Sequence, residues 1–276
     1  MVDSGVVTLQ PSGRQLFVSV IDGLTSDAPT LFFLHGLGSS HTFYEAALSQ
    51  STSRLISYDF NGHGLSPLQT PLSIDSLAND LKELMDHFGV ESARGIVAHS
   101  MSGLVATTFA SKWPEKVEKL VLLGPMSALP DSTQAVMRQR AATVSSSGLS
   151  SIVSKIAESA TSSRTKKESP LTLSLIRALV LGTNPQAYAA ACEALASAQD
   201  PDYTQIRSKM VVIGGSEDYL SDGKMIDAIV GKINAPRSTE SSVGLASKVV
   251  LEGVGHWIAI EDPKRVAQEL NKCFGI

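Results

Sequence analysis

The sequence predicts an α/β fold with a mostly parallel, eight-stranded sheet, helices on both faces and an inserted helical lid. Short apolar runs alternate with helical patterns along most of the chain, and such alternation implies right-handed crossovers within one open sheet. From Leu31 onward these runs contain few polar residues, as is typical of strands that are buried on both faces. A purely helical stretch interrupts the alternation between residues 131 and 199.

Eight apolar runs are the candidate strands. The first two have no helical pattern between them, so they predict an antiparallel hairpin at the edge of the sheet. Helical patterns lie near residues 41–50, 73–88, 101–112, 222–232 and 261–273. The predicted strands are Val6–Leu9, Leu16–Ile21, Thr30–Leu34, Arg54–Tyr58, Gly95–Ala98, Lys119–Leu123, Met210–Ile213 and Lys248–Leu251.

The interrupting stretch predicts three or four helices between two strands of the same sheet. Asp131 can cap the first helix, and Ser169-Pro170 and Asn184-Pro185 each offer an N-cap residue followed by proline at the first helical position. An insertion at this point covers the carboxyl ends of the strands, where open α/β sheets bind their ligands.

The domain organisation follows from this insertion. Residues 1–130 and 200–276 form the predicted core, and residues 131–199 form the predicted lid. Residues 234–247, with one proline, one glycine and several serines, predict a surface loop within the core.

Composition excludes several classes of function. The 276 residues are 43% hydrophobic and 18% charged, with a net charge of −4, which gives no reason to expect binding to nucleic acid or an anionic membrane. No apolar run approaches the ~18 residues of a membrane span, and the first residues do not resemble a secretory signal. Cys192 and Cys273 predict free thiols in a reducing cytoplasm, without a disulfide framework or a metal site. The sequence does not specify an oligomeric state.

The most informative stretch surrounds Ser100. An apolar run ends at this serine and a helical pattern begins at once, which is the layout of a nucleophile elbow. The usual pattern is G-x-S-x-G, but Ala98 and Ser102 replace both glycines. We expect these two residues to have ordinary backbone angles, with the strain confined to Ser100. Ser102 is disfavoured as the nucleophile, because the strand delivers Ser100 to the apex of the turn.

Three further features follow predicted strands. In the segment His35-Gly36-Leu37-Gly38 the glycines permit a sharp turn, and the N–H groups of Leu37 and Met101 are candidate donors of an oxyanion hole. Asp218 and His256 follow the last two strands. A neutral serine is a poor nucleophile, so His256 is the candidate base and Asp218 the acid that orients it.

The chain order serine, acid, histidine resembles that of the α/β-hydrolase superfamily, and the resemblance extends over nearly the whole chain. The segment Asp59–Ser66 resembles the superfamily's D-x-R-G-x-G-x-S turn, with Asn61 where arginine is usual. This departure is expected to affect the packing of the turn. Asp59 and His63 are interpreted as structural residues.

Within the predicted lid, the segments Arg140–Val144 and Asn184–Leu195 resemble the lid of 3-oxoadipate enol-lactonases. This resemblance implies hydrolysis of a small lactone or ester without a cofactor. Arg138 and Arg140 are candidates to meet a substrate carboxylate, or else they lie on a solvated helix face. The other candidate pocket residues are Tyr188, His35, Gly36, His99 and Trp257.

Two alternative functions stay open. A carbon–carbon bond hydrolase of the meta-cleavage type also carries a serine triad and a Gly-His-Trp sequence, as found here at 255–257. A ligand receptor or a non-hydrolytic biosynthetic protein of the same fold also remains possible. Haloalkane dehalogenases and epoxide hydrolases are disfavoured, because they have aspartate at the position of Ser100.

Overall fold

A computed structural model describes residues 2–25, 27–48, 52–236 and 245–276. They form one eight-stranded sheet with the strand order β1-β2-β4-β3-β5-β6-β7-β8. β1, β2 and β4 pair antiparallel, and all pairs from β4 to β8 are parallel. The predicted fold and edge hairpin are therefore confirmed. The strands are β1 Val2–Thr8, β2 Gln15–Ile21, β3 Thr30–Leu34, β4 Arg54–Tyr58, β5 Gly95–His99, β6 Lys119–Leu123, β7 Lys209–Gly215 and β8 Ala246–Leu251.

Helices connect and cover these strands. The central strands β3 and β5 are buried at every position, because side chains on both faces of a parallel sheet lie beneath neighbouring elements. The helices are α1 Ile74–His87, α2 Met101–Lys112, α3 Asp131–Ser147, α4 Val153–Ser159, α5 Ser163–Glu168, α6 Pro170–Leu181, α7 Pro185–Ala196, α8 Gly223–Ile233, α9 Ile258–Glu261 and α10 Pro263–Phe274.

Two helical predictions differ from the structure. The helix expected near 41–50 is a single 3₁₀ turn, His41–Tyr44, followed by a turn through residue 47. The Tyr44 hydroxyl donates to the carbonyl of Leu34 and ties this turn to the end of β3. The helix expected near 261–273 is divided into α9 and α10, because Pro263 has no N–H to continue the first helix and Asp262 caps the second.

Five helices, α3 to α7, lie between β6 and β7, where three or four were expected. A break at residues 160–162, between α4 and α5, accounts for the difference. Asp131 is the first residue of α3 and not its cap, whereas Asn184 caps α7 by accepting from the N–H groups of Gln186 and Ala187.

This helical insertion contacts the loops at the carboxyl ends of the strands. The His256 N–H donates to the Ala160 carbonyl at 2.9 Å. A Cβ atom on Gly38 would lie 2.8 Å from the Tyr188 ring, so this ring packs directly on the loop after β3. The insertion therefore lies where a ligand of an open α/β sheet would enter.

The predicted surface loop 234–247 is only partly visible. Residues 237–244 lie outside the described residues. The Asn234 side chain accepts from the Ala246 N–H and donates to its carbonyl, both at 2.9 Å, so the two ends of the segment lie together. Within the described ranges, no helix combines the length and apolarity that crossing a membrane requires.

Candidate active site

Ser100 occupies a strained turn between β5 and α2. Its φ of 57° and ψ of −120° make it the one non-glycine residue with positive φ in the described part of the chain. The backbone is held by three hydrogen bonds. The Ser100 N–H donates to Leu123 at 3.0 Å, and its carbonyl accepts from Gly103 at 2.9 Å and Met126 at 3.0 Å. Neighbouring elements thus impose a conformation that an isolated serine would leave.

The residues that replace the usual glycines have ordinary backbone angles, as predicted. Ala98 lies in β5 and Ser102 in the first turn of α2. The Ser102 hydroxyl is fully buried, accepts from the His99 N–H and lies 2.8 Å from the carbonyls of His99 and Leu34. It therefore ties the end of β5 to the end of β3.

Three side chains predicted from separate loops meet at hydrogen-bonding distance. His256 Nε2 lies 2.8 Å from Ser100 Oγ, and His256 Nδ1 lies 2.8 Å from Asp218 Oδ2. All three residues are more than 90% buried. The second carboxylate oxygen of Asp218 accepts from the N–H groups of Leu220 at 2.9 Å and Ser221 at 3.0 Å.

The environment of Asp218 favours its ionised form. Burial raises the pKa of this carboxyl, but the neighbouring His256 and the two backbone N–H donors outweigh burial and hold the pKa below its usual value. Glu217 is the adjacent alternative acid, and it instead accepts from the Ser163 N–H at 2.7 Å on the protein surface. The geometry thus selects Asp218 as the partner of His256.

Sequence reasoning missed Gly124, which packs against the Asp218–His256 pair. It follows β6 with a φ of +50°, and a Cβ atom there would lie 2.9 Å from Asp218 Oδ2 and 3.3 Å from His256 Nδ1. A glycine directly after a buried strand was the available signal.

The loop after β3 passes directly over the nucleophile turn. A Cβ atom on Gly36 would lie 2.7 Å from His99 Nδ1 and 3.1 Å from Ser100 Cβ. Within the described residues, the adjacent Leu37 N–H has no protein acceptor. Met101 begins α2, so its N–H is one of the helix-terminal donors that lack an intrahelical acceptor.

His35 fixes the start of this loop from within the core. Its Nδ1 lies 2.8 Å from the Gly36 carbonyl, and its Nε2 accepts from the Phe60 N–H at 2.9 Å. Burial lowers the pKa of His35, so the ring is neutral and carries its proton on Nδ1. Both nitrogens are thus engaged with backbone, which corrects the expectation that His35 lines the pocket.

His99 and Trp257 support the loop that carries His256. His99 Nε2 lies 2.8 Å from the His256 carbonyl, and the His99 ring stacks on Phe43 at 4.3 Å. Burial lowers the pKa of His99 to about 3, so the neutral ring donates through Nε2. Trp257 is buried, with ring centroids 6.1 Å from both Phe43 and His99. These contacts place both side chains behind the site.

The two candidate arginines, Arg138 and Arg140, lie on the same helix α3 but have different surroundings. Arg138 is exposed, and its guanidinium lies 3.7 Å from Glu193 Oε2 on α7, so the alternative of a solvated helix face holds for Arg138. Arg140 is half-buried beside the Tyr188 hydroxyl and lines a cleft of about 1000 Å³. Tyr188 itself is buried against Gly38.

The turn after β4 is structural, as predicted. Asp59 Oδ1 accepts from the His41 N–H at 2.6 Å and lies 2.9 Å from His41 Nδ1, while Oδ2 accepts from the Leu65 N–H at 2.8 Å. Sequence reasoning missed His41 as this partner. His63 is buried beside the Asn61 carbonyl. The Asn61 side chain accepts from the Gln69 N–H at 2.7 Å, so it closes the turn where arginine is usual.

Comparison with known proteins identifies the class. A sequence model of the alpha/beta hydrolase fold matches residues 29–263. The chain therefore belongs to the alpha/beta hydrolase family, and the predicted class of enzyme is confirmed.

Curated relatives include enzymes with lactone and lipid substrates in their names. The 3-oxoadipate enol-lactonase 2 of Acinetobacter baylyi is 26% identical over 208 residues, which cover 73% of this chain and 77% of that protein. The sn-1-specific diacylglycerol lipase ABHD11 of Danio rerio is 38% identical over 112 residues, which cover 39% of this chain and 35% of that protein.

Solved structures share the fold along the whole chain. The enol-lactonase from Burkholderia xenovorans has a TM-score of 0.86 at 19% identity, covering 99% of this chain and 100% of that one. A thermophilic esterase from Thermogutta terrifontis has a TM-score of 0.83 at 22% identity, covering 99% of both chains.

Proposed function

We propose that this protein is a serine hydrolase that cleaves a small carboxylic ester or lactone through an acyl-enzyme on Ser100. The observation that carries the proposal is the unbroken contact from Ser100 Oγ through the His256 ring to the Asp218 carboxylate, with both distances at 2.8 Å. The names of the relatives, enol-lactonase and esterase, support this substrate class.

The first half of the reaction forms the acyl-enzyme. Ser100 Oγ attacks the carbonyl carbon while His256 Nε2 takes the hydroxyl proton, and Asp218 stabilises the resulting imidazolium. The N–H groups of Leu37 and Met101 receive the developing oxyanion, and each such donor contributes roughly 3–4 kcal/mol in known hydrolases. Collapse breaks the carbon–oxygen bond, and the leaving alkoxide takes the proton from His256. In a lactone the leaving oxygen remains attached to the acyl group.

The second half regenerates the enzyme. A water molecule gives its proton to His256 as its oxygen attacks the acyl carbon. The second tetrahedral intermediate releases the carboxylic acid, and Ser100 recovers its proton from His256. Residues 131–199 act as the lid that shields these steps from bulk water.

Covalent labelling tests the nucleophile. A fluorophosphonate probe is expected to label the wild-type protein and to fail on Ser100→Ala, whereas Ser102→Ala is expected to remain labelled. Labelling that survives Ser100→Ala would overturn the assignment.

Turnover tests the reaction class. Purified protein is expected to release acid from aryl esters and lactones, and His256→Ala is expected to lower this rate by about 10³-fold or more. Colour loss with a ring-cleaved dienoate, without ester hydrolysis, would instead identify a carbon–carbon bond hydrolase. Tight ligand binding without any turnover would identify a receptor.

A further inference from the structure

The helix α6 is apolar on the side that faces away from the protein. Its exposed residues recur every three or four positions, so they form one continuous face along the helix. None of them is charged, and three are leucines, with Leu171 81% exposed, Leu175 45% and Leu181 50%. The face consists of Pro170, Leu171, Ser174, Leu175, Ala178 and Leu181.

The opposite side of α6 is apolar as well. Ile176 and Val180 are fully buried, and a Cβ atom on Gly38 would lie 3.5 Å from Val180, so this side packs on the loop after β3. The single charged residue of α6 is Arg177, which pairs with Glu158 on α4 at 3.4 Å. A helix that is apolar on both sides is normally covered on both. Within the described part of the chain, only one side of α6 is covered.

The exposed face of α6 continues onto the turn after β4. Leu65 of this turn is 64% exposed, and it lines an open groove of about 310 Å³ together with Leu175 and Leu179. We refer to the exposed side chains of Leu65, Leu171, Leu175 and Leu181 as the leucine face. A contiguous exposed apolar patch marks a site of interaction with a protein or a membrane.

The helices that carry the leucine face have an excess of basic residues. α4, α5 and α6 together contain five basic and two acidic residues, although the chain as a whole has a net charge of −4. Three of the basic residues have an acidic neighbour. These pairs are Arg164 with Asp262, Arg177 with Glu158, and Lys166 with Glu217.

The other two basic residues, Lys155 and Lys167, are exposed and form no ion pair with an acid that the structure describes. Lys155 lies on α4, which packs beside α6, and Lys167 lies four residues before Leu171. The nearest acid along the chain is Glu168. The uncharged leucine face is thus flanked by cations, an arrangement typical of a surface that meets anionic lipid.

The size of the face favours a lipid surface over a second copy of the chain. With 12 residues, α6 is about 18 Å long and about 10 Å wide, so its exposed face offers roughly 200 Å². This area is far below the ~800 Å² per partner that a stable dimer buries. Two such faces would also bring like charges together. An anionic bilayer instead attracts the lysines and accepts the leucines at shallow depth without a matching protein surface.

We propose that the leucine face is an attachment surface for an anionic lipid bilayer, on which the protein lies with α6 parallel to the membrane plane. Leu65, Leu171 and Leu175 enter the layer of the lipid headgroups, and Lys155 and Lys167 lie over the anionic phosphates. This attachment goes beyond the proposed function, since it does not depend on the reaction at Ser100.

Co-sedimentation with vesicles tests the attachment. The full chain is expected to bind vesicles in which phosphatidylcholine and phosphatidylglycerol are mixed two to one, and to bind pure phosphatidylcholine vesicles more weakly. High salt is expected to weaken binding to the mixed vesicles, because it screens the lysines. Ser100→Ala is expected to bind as the wild type does.

Substitution of the leucines tests the apolar part of the surface. Leu171→Ser/Leu175→Ser is expected to lower the partition coefficient on mixed vesicles by about tenfold or more, because two leucines no longer leave water. The matched control is Val6→Ser/Leu24→Ser, which removes side chains that are 55% and 78% exposed near the antiparallel edge of the sheet. It is expected to keep wild-type binding. Urea-induced unfolding of each variant checks that it is folded.

Substitution of the lysines tests the charged part. Lys155→Gln/Lys167→Gln is expected to lower binding to the mixed vesicles by about tenfold and to leave binding to pure phosphatidylcholine unchanged. Its control is Arg207→Gln/Lys209→Gln, which removes two exposed cations at the amino end of β7, away from the insertion. The control is expected to bind both kinds of vesicle as the wild type does.

A wild type that does not bind the mixed vesicles, or an equal fall in a variant and its control, would overturn the attachment. A wild type that is dimeric in sedimentation velocity and monomeric as Leu171→Ser/Leu175→Ser would show that a second copy covers the leucine face, which would overturn the attachment as well. Fluorophosphonate labelling and ester hydrolysis are measured without vesicles, so the proposed function stands or falls separately.

Discussion

Position 102 shows how one residue can depart from a familiar pattern and still serve the turn. The usual glycine leaves room where strand and helix approach, whereas the Ser102 hydroxyl fills this space and bonds to the ends of β3 and β5. The crowding is relieved one residue later, because a Cβ atom on Gly103 would lie 2.5 Å from Pro125. The missing glycine therefore changes the packing of the elbow and leaves Ser100 at its apex.

Removal of the Ser102 hydroxyl tests this interpretation. Ser102→Ala leaves the buried His99 N–H without its partner, so we expect the free energy of unfolding to fall by about 1–3 kcal/mol. The measurement is urea-induced unfolding, with Ser146→Ala as the control, because the Ser146 hydroxyl lies on an exposed helix surface. Equal stability of Ser102→Ala and the wild type would contradict a stabilising role of the hydrogen bonds that the Ser102 hydroxyl makes to the ends of β3 and β5.

Gly124 allows a second test at the level of one residue. Gly124→Ala places a methyl group within 2.9 Å of the Asp218 carboxylate and is expected to lower kcat by about tenfold or more, since in the proposed mechanism Asp218 orients His256. Gly253→Ala is the matched control. It has a similar φ of +69° but no atom within 4 Å of its Cβ position, so it shares the backbone strain alone. Equal effects on kcat in both variants would show that strain, and not the contact, is responsible.

At the scale of elements, the junction of α4 and α5 fastens the insertion to the two loops that carry Asp218 and His256. Glu261 Oε2 accepts from the Ser162 N–H and from the Thr165 hydroxyl, both at 2.8 Å. Glu217 accepts from the Ser163 N–H at 2.7 Å. One edge of the insertion is thus fixed to the core beside the candidate base.

Glu261 is the residue whose loss would release this edge. Glu261→Ala is expected to lower kcat/KM several-fold and to expose residues 159–168 to limited proteolysis, because two partly buried hydrogen bonds are lost. Glu261→Gln, which retains an acceptor oxygen, is expected to recover part of both properties. Glu158→Ala is the control, since Glu158 pairs with Arg177 on the insertion surface. If Glu261→Ala and the wild type were cleaved at the same rate, Glu261 would not hold the α4–α5 junction to the core.

The elements also show what the sequence could and could not predict. Uninterrupted apolar runs predicted the parallel strands, because burial on both faces leaves a strong local pattern. The different surroundings of Arg138, beside Glu193, and of Arg140, beside Tyr188, were not predictable, since both depend on where α3 meets α7. The pairing of His41 with Asp59 could not be predicted from the sequence either, because it joins two loops that are separated along the chain. Local patterns thus predicted the elements and the three candidate residues Ser100, Asp218 and His256 that meet in the structure, while the other contacts between elements required the structure.

For the molecule as a whole, several histidines are kept neutral inside the core. Burial lowers the pKa of His63 to about 3, and burial together with His256 does the same for the pKa of His99. In the unfolded chain these residues titrate near 6.5. Between about pH 6.5 and 3 the unfolded state therefore binds more protons than the folded state, and the free energy of unfolding must fall as the pH falls. Above pH 6.5 the two states bind the same number of protons at these sites, and this contribution is constant.

His63 allows this acid sensitivity to be measured apart from the candidate active site. From pH 6.5 to 5, each such histidine contributes a loss of about 2 kcal/mol in unfolding free energy. His63→Gln has no group that titrates in this range, so the fall in unfolding free energy between pH 7 and pH 5 is expected to be about 2 kcal/mol smaller in the variant. Urea-induced unfolding at the two pH values gives both numbers. His87→Gln is the control, because His87 lies at the end of α1 outside this buried group, and it is expected to retain the wild-type pH dependence. An identical pH dependence in His63→Gln and the wild type would show that His63 is not held neutral by the fold.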